Sequence, residues 1–191
     1  MAEKDRISEL PADILDNILG FLPLREAARI AILSSFWKDI WFSLTKLSFD
    51  RNFVDYLCLK YSHDEGPDSV SHIFEVVNKI LMRHNGPIHK IVFDFYGDNL
   101  NYYFTITKDI DNLLEDNLNQ WFLLLTQNGV EEIVISFFMD ARCWVPNCIF
   151  SCPTLKRLKP DSVDVEPINA YCVLLNVTSL CLEDVGFKPR T

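Results

Sequence analysis

The chain has 191 residues, 49% of them hydrophobic, with a formal net charge of −9 and a pI near 4.8. That apolar fraction suffices for a buried core, which excludes predominant disorder, and the acidity opposes any general attraction to phosphate backbones. No apolar run approaches the roughly 18 residues needed to cross a bilayer, and "MAEKDRISEL" lacks the apolar stretch of a secretory leader; the expected setting is cytoplasm or nucleus, with neither nucleic acid nor membrane as partner.

In chain order, the first unit runs from about Ile7 to Leu47 and reads as three short helices. In "LPADILDNILGFLP" the residues Ile14, Leu15, Ile18, Leu19 and Leu22 recur at helical spacing as one broad apolar stripe. Pro11 suits a first helical turn, where its missing N–H costs nothing, and Pro23 ends the segment. "LREAARIAIL" reads as a second helix, and Ser34 as the cap of a third that carries Trp37, Ile40 and Trp41. Three helices of this size cannot cover all of their own apolar surface.

Residues from about Ser48 to Asp68 read as a transition. The next helix, "SVSHIFEVVNKILMRHNGP", has Val70, Ile73, Phe74, Val77, Ile80 and Leu81 on one face and Asn85-Gly86-Pro87 as its stop. "HKIVFDF" reads as a strand. A further helix places Ile110, Leu113, Leu114, Leu118, Trp121 and Leu125 inward and ends at Asn128-Gly129, before the strand-like "VEEIVISFF".

Set beneath one another, "PIHKIVFDF", "GVEEIVISF", "PTLKRLKPDSV" and "NVTSLCLEDV" share a polar lead-in and alternating apolar positions anchored at Ile91, Ile133, Leu158 and Leu180. The anchors are 42, 25 and 22 residues apart. The last two gaps fall within the roughly 20–29 residues of leucine-rich repeats, and the first needs an inserted helix, which the chain supplies. Units of this kind cannot bury an apolar face alone, so parallel stacking is expected.

The chemistry-bearing residues are sparse in pattern. Cys143, Cys148 and Cys152 are close in sequence, but the four histidines are far from them, so no metal site is expected and the six cysteines read as reduced thiols, mostly buried. No nucleophile elbow, glycine-rich phosphate cradle or histidine–glutamate metal motif appears, so no catalytic residue or cofactor is expected. Asp109, Asp111, Glu115 and Asp116 read as the solvated side of a helix.

The segments "DRISELPADILDNILGFLP", "EAARIAILSSFW" and "WFSLTKLSFD" resemble the F-box, and the later "NGVEEIVI", "VPNCIFSCPTLKRLK" and "NVTSLCLEDVGF" look like the repeat units of plant F-box/leucine-rich-repeat proteins, which often carry an FBD domain further on. The resemblance implies an α+β to α/β architecture: an F-box over 1–48, a linker and connecting helix over 49–86, and a partial repeat solenoid with parallel strands and helices over 87–191. It implies a non-catalytic substrate receptor of a Skp–cullin–F-box ubiquitin ligase. The F-box would bind a Skp-type adaptor, and through it the cullin, while the repeats would hold an unidentified target protein. Carried over residue by residue, the adaptor-binding positions are Leu10, Pro11, Ile14, Leu22, Pro23, Leu33, Ser34, Trp37 and Trp41, with core packing and partner contact evenly matched for Ile18, Leu19 and Ile32.

Three departures from the family pattern set expectations of their own. "SSFW" stands where the family has basic residues, so Ser35 and Phe36 bear on adaptor choice. Pro160 is expected to end or bulge the third repeat strand. The chain stops at "GFKPRT", short of the family's usual length, and no polar cap is visible around Val177 to Val185; a short form that occupies the adaptor as a competitor, or acts as a scaffold, is the alternative function.

Overall fold

A parallel sheet runs through the molecule, and its first strand belongs to the N-terminal helical unit. The computed structural model describes residues 6–61, 68–95, 108–137, 143–166 and 174–187. Helices α1 (Ala12–Gly20), α2 (Leu24–Ile30) and α3 (Ser35–Phe42) lead into β1 (Lys46–Phe49). Then follow α4 (Arg51–Lys60), α5 (Asp68–Arg83), β2 (Lys90–Phe95), α6 (Lys108–Gln127), β3 (Glu132–Phe137) and β4 (Cys143–Val145). A 3-10 turn (Asn147–Ser151), β5 (Arg157–Val165), β6 (Ser179–Leu180) and β7 (Glu183–Phe187) complete the described chain.

The register of the sheet follows the repeat. Leu47, Ile91, Ile133, Leu158 and Leu180 stand side by side across β1, β2, β3, β5 and β6, all pairs parallel. The four aligned anchors are therefore neighbours in space, and the sheet begins one strand earlier than the repeats do in sequence. A backbone device marks each step. The carbonyl of Thr45 accepts from the N–H groups of both His89 and Lys90, that of His89 from Glu131 and Glu132, that of Glu131 from Lys156 and Arg157, and that of Lys156 from Thr178 and Ser179. Each carbonyl holds the lead-in of the following repeat, which fixes its register before the strand pairs.

Two expectations are corrected here. The stretch after Ser48 is not a transition: β1 ends at Phe49, and Asp50 immediately caps α4, its carboxylate accepting from the Phe53 N–H at 3.0 Å. The sequence of α4, "RNFVDYLCLK", buries only Phe53, Val54, Leu57 and Cys58, too short a stripe to stand out from loop. Pro160 does not end its strand either. It lies buried opposite Ile135, and β5 continues to Val165. The bend comes two residues later, where Ser162 takes φ 56°; Asp184, 22 residues on, takes φ 44° at the matching place beside β5. After the bend, β5 pairs with β4 on one edge and β7 on the other.

One continuous core extends from Leu15 and Leu19 of α1 to Val163 and Val165 of β5. At its centre Phe93 stacks on Phe49 at 5.5 Å and on Trp121 at 5.3 Å, with Phe122 edge-on at 5.6 Å. Such pairs add roughly 0.5–1.5 kcal/mol each beyond the area they bury. The Trp121 N–H donates to Asn78 Oδ1 (2.5 Å), Asn78 Nδ2 to Asn117 Oδ1 (2.7 Å), and Asn117 Nδ2 to the Leu113 carbonyl (2.6 Å), so the polar groups between α5 and α6 are satisfied. The expected inward residues Ile73, Phe74, Val77, Leu81, Leu114, Leu118, Trp121 and Leu125 are buried, and Ile80 and Leu113 partly so; the side chains of Val70 and Ile110 lie outside the described residues. Gly129 closes α6 with φ 76°, a conformation that favours glycine.

On the polar surface of the strands, Glu132 pairs with both Lys90 and Arg157, Glu131 with Lys156 at 2.8 Å, and Lys159 with Glu183 at 3.1 Å. Burial alone would raise the Glu132 pKa, but hydrogen bonds from Lys90 and Arg157 bring it below the usual carboxylate range.

The helical unit meets the sheet through close backbone contact. The Asn85 N–H donates to the Phe42 carbonyl at 2.8 Å, and a Cβ on Gly86 would stand 2.8 Å from Ser43 Cα. Gly86→Ala is therefore expected to destabilise the chain by about 1–3 kcal/mol, read by denaturant unfolding, because the obstructing atoms are backbone.

Next to this contact His84 is largely buried and its Nε2 has no hydrogen-bond partner among the described residues. Burial lowers its pKa from 6.5, against the smaller opposing pull of Asp16. Below that value the unfolded chain binds a proton that the folded one resists, so stability falls as pH drops through about 6.5. The melting temperature should decline from pH 7 to 5 by less in His84→Gln than in the parent chain.

Candidate functional site

The three N-terminal helices divide their apolar residues between two directions. Pro11 and Pro23 occupy the positions just before α1 and α2; their carbonyls accept from Ile14 and Leu15, and from Glu26 and Ala27, respectively. Pro23 thus opens α2 rather than only stopping α1. Leu15 and Leu19 turn inward from α1 and are buried, while Ile14, Ile18 and Phe21, four and three residues apart, stay exposed as a second stripe. What reads as one broad stripe in the sequence is two narrow ones.

Helix α2 is shorter than its sequence pattern. It ends at Ile30, and the N–H groups of Ile32 and Leu33 close tight turns onto the Arg29 and Ile30 carbonyls (3.2 and 2.9 Å). Ile32 and Leu33 consequently project from the α2–α3 connection at 83% and 73% exposure. Ser34 then caps α3, its Oγ accepting from the Trp37 N–H at 3.3 Å. Phe36 lies exposed with its ring edge-on to Trp37 at 5.6 Å.

Against the expected adaptor-binding set, Leu10, Pro11, Ile14, Leu22, Pro23, Leu33 and Ser34 are all exposed. Trp37 and Trp41 are not: they retain 8% and 7% of their surface and belong to the core. Most of the surface of these two expected contacts is thus taken up by the chain's own packing. On α3 the two positions are four residues apart and face inward, so the rings buttress the helical unit from within. Phe21, at 85% exposure, was outside the expected set; its place seven residues after Ile14 on the same outer stripe was the available signal. Of the three undecided residues, Leu19 is core, whereas Ile18 and Ile32 are exposed.

Thus large exposed apolar side chains gather on a unit of about thirty residues whose helices touch one another. Single exposed apolar residues are ordinary, but a concentration of this kind marks an interaction surface. The unit is held firmly to the sheet. Thr45 donates through its backbone N–H and its hydroxyl to the two carboxylate oxygens of Asp16 (2.8 and 2.5 Å), and the Thr45 carbonyl carries the first repeat.

The cysteines offer little nucleophilic chemistry. Burial pushes the Cys58 thiol up to about 11 and also raises Cys148. Cys181 is exposed, and its hydrogen bond to Glu183 raises it as well. Cys172 lies outside the described residues, as do the side chains of Asp109 and Asp111. No group of three or more histidine, cysteine or acidic side chains among the described residues is arranged to hold a metal. No helix among them is long and apolar enough to cross a membrane.

Comparison with known proteins agrees with this division of the chain. Residues 7–49, from the approach to α1 to the end of β1, match the family model of the F-box domain. An F-box/FBD/LRR-repeat protein of Arabidopsis thaliana is 30% identical over 97% of this chain and 40% of its own length, and a second is 25% identical over 96% and 38%. An F-box/LRR-repeat protein of the same plant is 33% identical over 82% of this chain and 26% of its own. The chain is of this plant F-box/leucine-rich-repeat type. It spans about two fifths of the length of the first two relatives. No solved structure matches it.

The two directions of packing should separate in mutants. Trp37→Ala removes a buried ring and is expected to cost about 3–5 kcal/mol of stability. Phe21→Ser changes an exposed side chain and should stay within about 0.5 kcal/mol of the parent in the same denaturant titration.

Proposed function

We propose that this chain is a non-catalytic substrate receptor: the exposed apolar residues of α1, the α2–α3 connection and the start of α3 dock on a Skp-type adaptor that links to a cullin, and the repeat sheet presents a target protein. The observation that carries the reading is the high exposure of Phe21, Ile32 and Leu33 on a segment that matches the F-box domain. F-box domains generally bind adaptors of this kind. Leu10, Pro11, Ile14, Leu22, Pro23 and Ser34 surround that contact, while Trp37 and Trp41 act through the shape they give the unit.

A receptor of this type transfers nothing itself. It holds a target near the transferring subunit, so its contribution is proximity and orientation. A rigid path from adaptor face to sheet serves that task, and the Asp16–Thr45 bonds and the shared core supply it. The raised thiol pKa values of Cys58 and Cys148 fit a protein without a thiolate nucleophile. The setting proposed for this role is the cytoplasm or nucleus.

The test is co-purification of the full chain with a Skp-type adaptor. Phe21→Ser with Leu33→Ser should weaken binding by at least about 2 kcal/mol, roughly thirtyfold, while leaving the melting temperature in place. Unimpaired binding by a folded double variant would overturn the assignment of this face.

A further inference from the structure

Beside the exposed apolar residues, and sharing Ile32 with them, a groove opens between α2, α4 and α5. It encloses about 460 Å³, within the roughly 300–1,000 Å³ of clefts that take small ligands. Its floor is apolar: Leu24, Trp41, Phe53 and Leu57 are buried there, with Val76 and Ile80 of α5 forming the far wall. Its rim is cationic, made by Arg25 and Arg29 of α2 and Lys60 of α4.

The three cations differ in what they touch. Arg29 is engaged with Glu26 at 3.2 Å. Arg25 and Lys60 have no carboxylate partner among the described residues. The Arg25 guanidinium lies 3.9 Å above the Tyr56 ring, and the Lys60 ammonium lies 5.0 Å from that of Tyr61. Stacking on a ring fixes a guanidinium plane while leaving its N–H edge free to bind a planar anion at two points. Lys90, Lys156, Arg157 and Lys159 on the strand side, by contrast, are paired with Glu131, Glu132 and Glu183. In a chain of net charge −9, two cations that line one apolar cavity without a carboxylate partner among the described residues are a local reversal of sign.

We infer that this groove binds a small amphipathic organic anion, with a flat or short apolar body on the Trp41–Phe53–Leu57 floor and a carboxylate, sulfonate or phosphate group at Arg25 and Lys60. The volume fits one such molecule, and Arg25 and Lys60 both line the cavity that would hold its charged head. The site also gives Trp41 a role other than partner contact, since this ring supplies part of the floor. The inference does not depend on the adaptor reading.

The test is a fluorescence titration of the full chain with anilinonaphthalenesulfonate and with N-phenylnaphthylamine, the same ring system without the charge. Every titration is repeated in the Phe21→Ser, Leu33→Ser background, which removes two of the prominent competing apolar residues that do not line the groove. Saturable binding of the sulfonate should survive in that background. Arg25→Gln with Lys60→Gln, both at exposed positions, should weaken the sulfonate by about tenfold or more and leave the neutral probe within about twofold. Ala28→Trp, which fills the groove, should abolish both signals, with circular dichroism confirming the fold; should that variant not fold, the paired glutamine substitutions decide alone. No saturable binding by the parent chain, loss of binding in the Phe21/Leu33 background, or equal affinity of the sulfonate for parent and glutamine variant would each overturn the inference.

Discussion

The carbonyl of Thr45 is the point on which the architecture turns. It accepts two N–H groups from the start of the first repeat, as the carbonyls of His89, Glu131 and Lys156 do for the repeats that follow. Its own residue is held by Asp16 of α1 through two further hydrogen bonds. The last turn of the helical unit is therefore also the first rung of the solenoid. A stack of units that cannot fold singly needs a first unit to cover its open face, and the three helices supply one. They bury Leu15 and Leu19 in the same core that continues to Val165, so helical unit and sheet share one apolar interior.

Sharing a core constrains which apolar residues remain outside. Trp37 and Trp41 face the sheet side and are consumed by packing, whereas Phe21, Ile32 and Leu33 stand on turns and an outer stripe where no element of the described chain reaches them. The helical unit is small because half of its apolar surface is committed inward and half outward. An aromatic column, Phe49 on Phe93 on Trp121, carries the same logic across the sheet: one ring from the F-box strand, one from the first repeat and one from the helix that follows. Burial raises the thiol pKa of Cys58 and Cys148, and several charges on the strand faces are paired.

Much of this was legible in the residues. The anchors Ile91, Ile133, Leu158 and Leu180 became neighbours across the sheet because similar units stack in parallel and the side-chain period of two keeps them on one face, where the first three are buried and Leu180 stays exposed. The capping role of Ser34 and the stop at Asn128-Gly129 are local backbone chemistry and read correctly. The exposed set Leu10, Ile14, Leu22 and Leu33 followed from family resemblance joined to the excess of apolar residues.

What the sequence determined by itself was periodicity, and with it the helices, the repeat and the presence of more apolar surface than three short helices can hide. Direction was decided only by the tertiary structure. Trp37 and Leu33 are equally apolar on paper, and which one meets solvent depends on where α2 ends and on how α3 lies against β1, neither of which a side-chain pattern specifies. The same holds for α4, which packs on α5 and β2 and sets Phe53 edge-on to Phe49 of β1, and for Pro160, which stays within the ladder while the left-handed backbone comes at Ser162. Local spacing fixes which elements form; the choice among their faces is made by long-range packing that only the assembled chain contains.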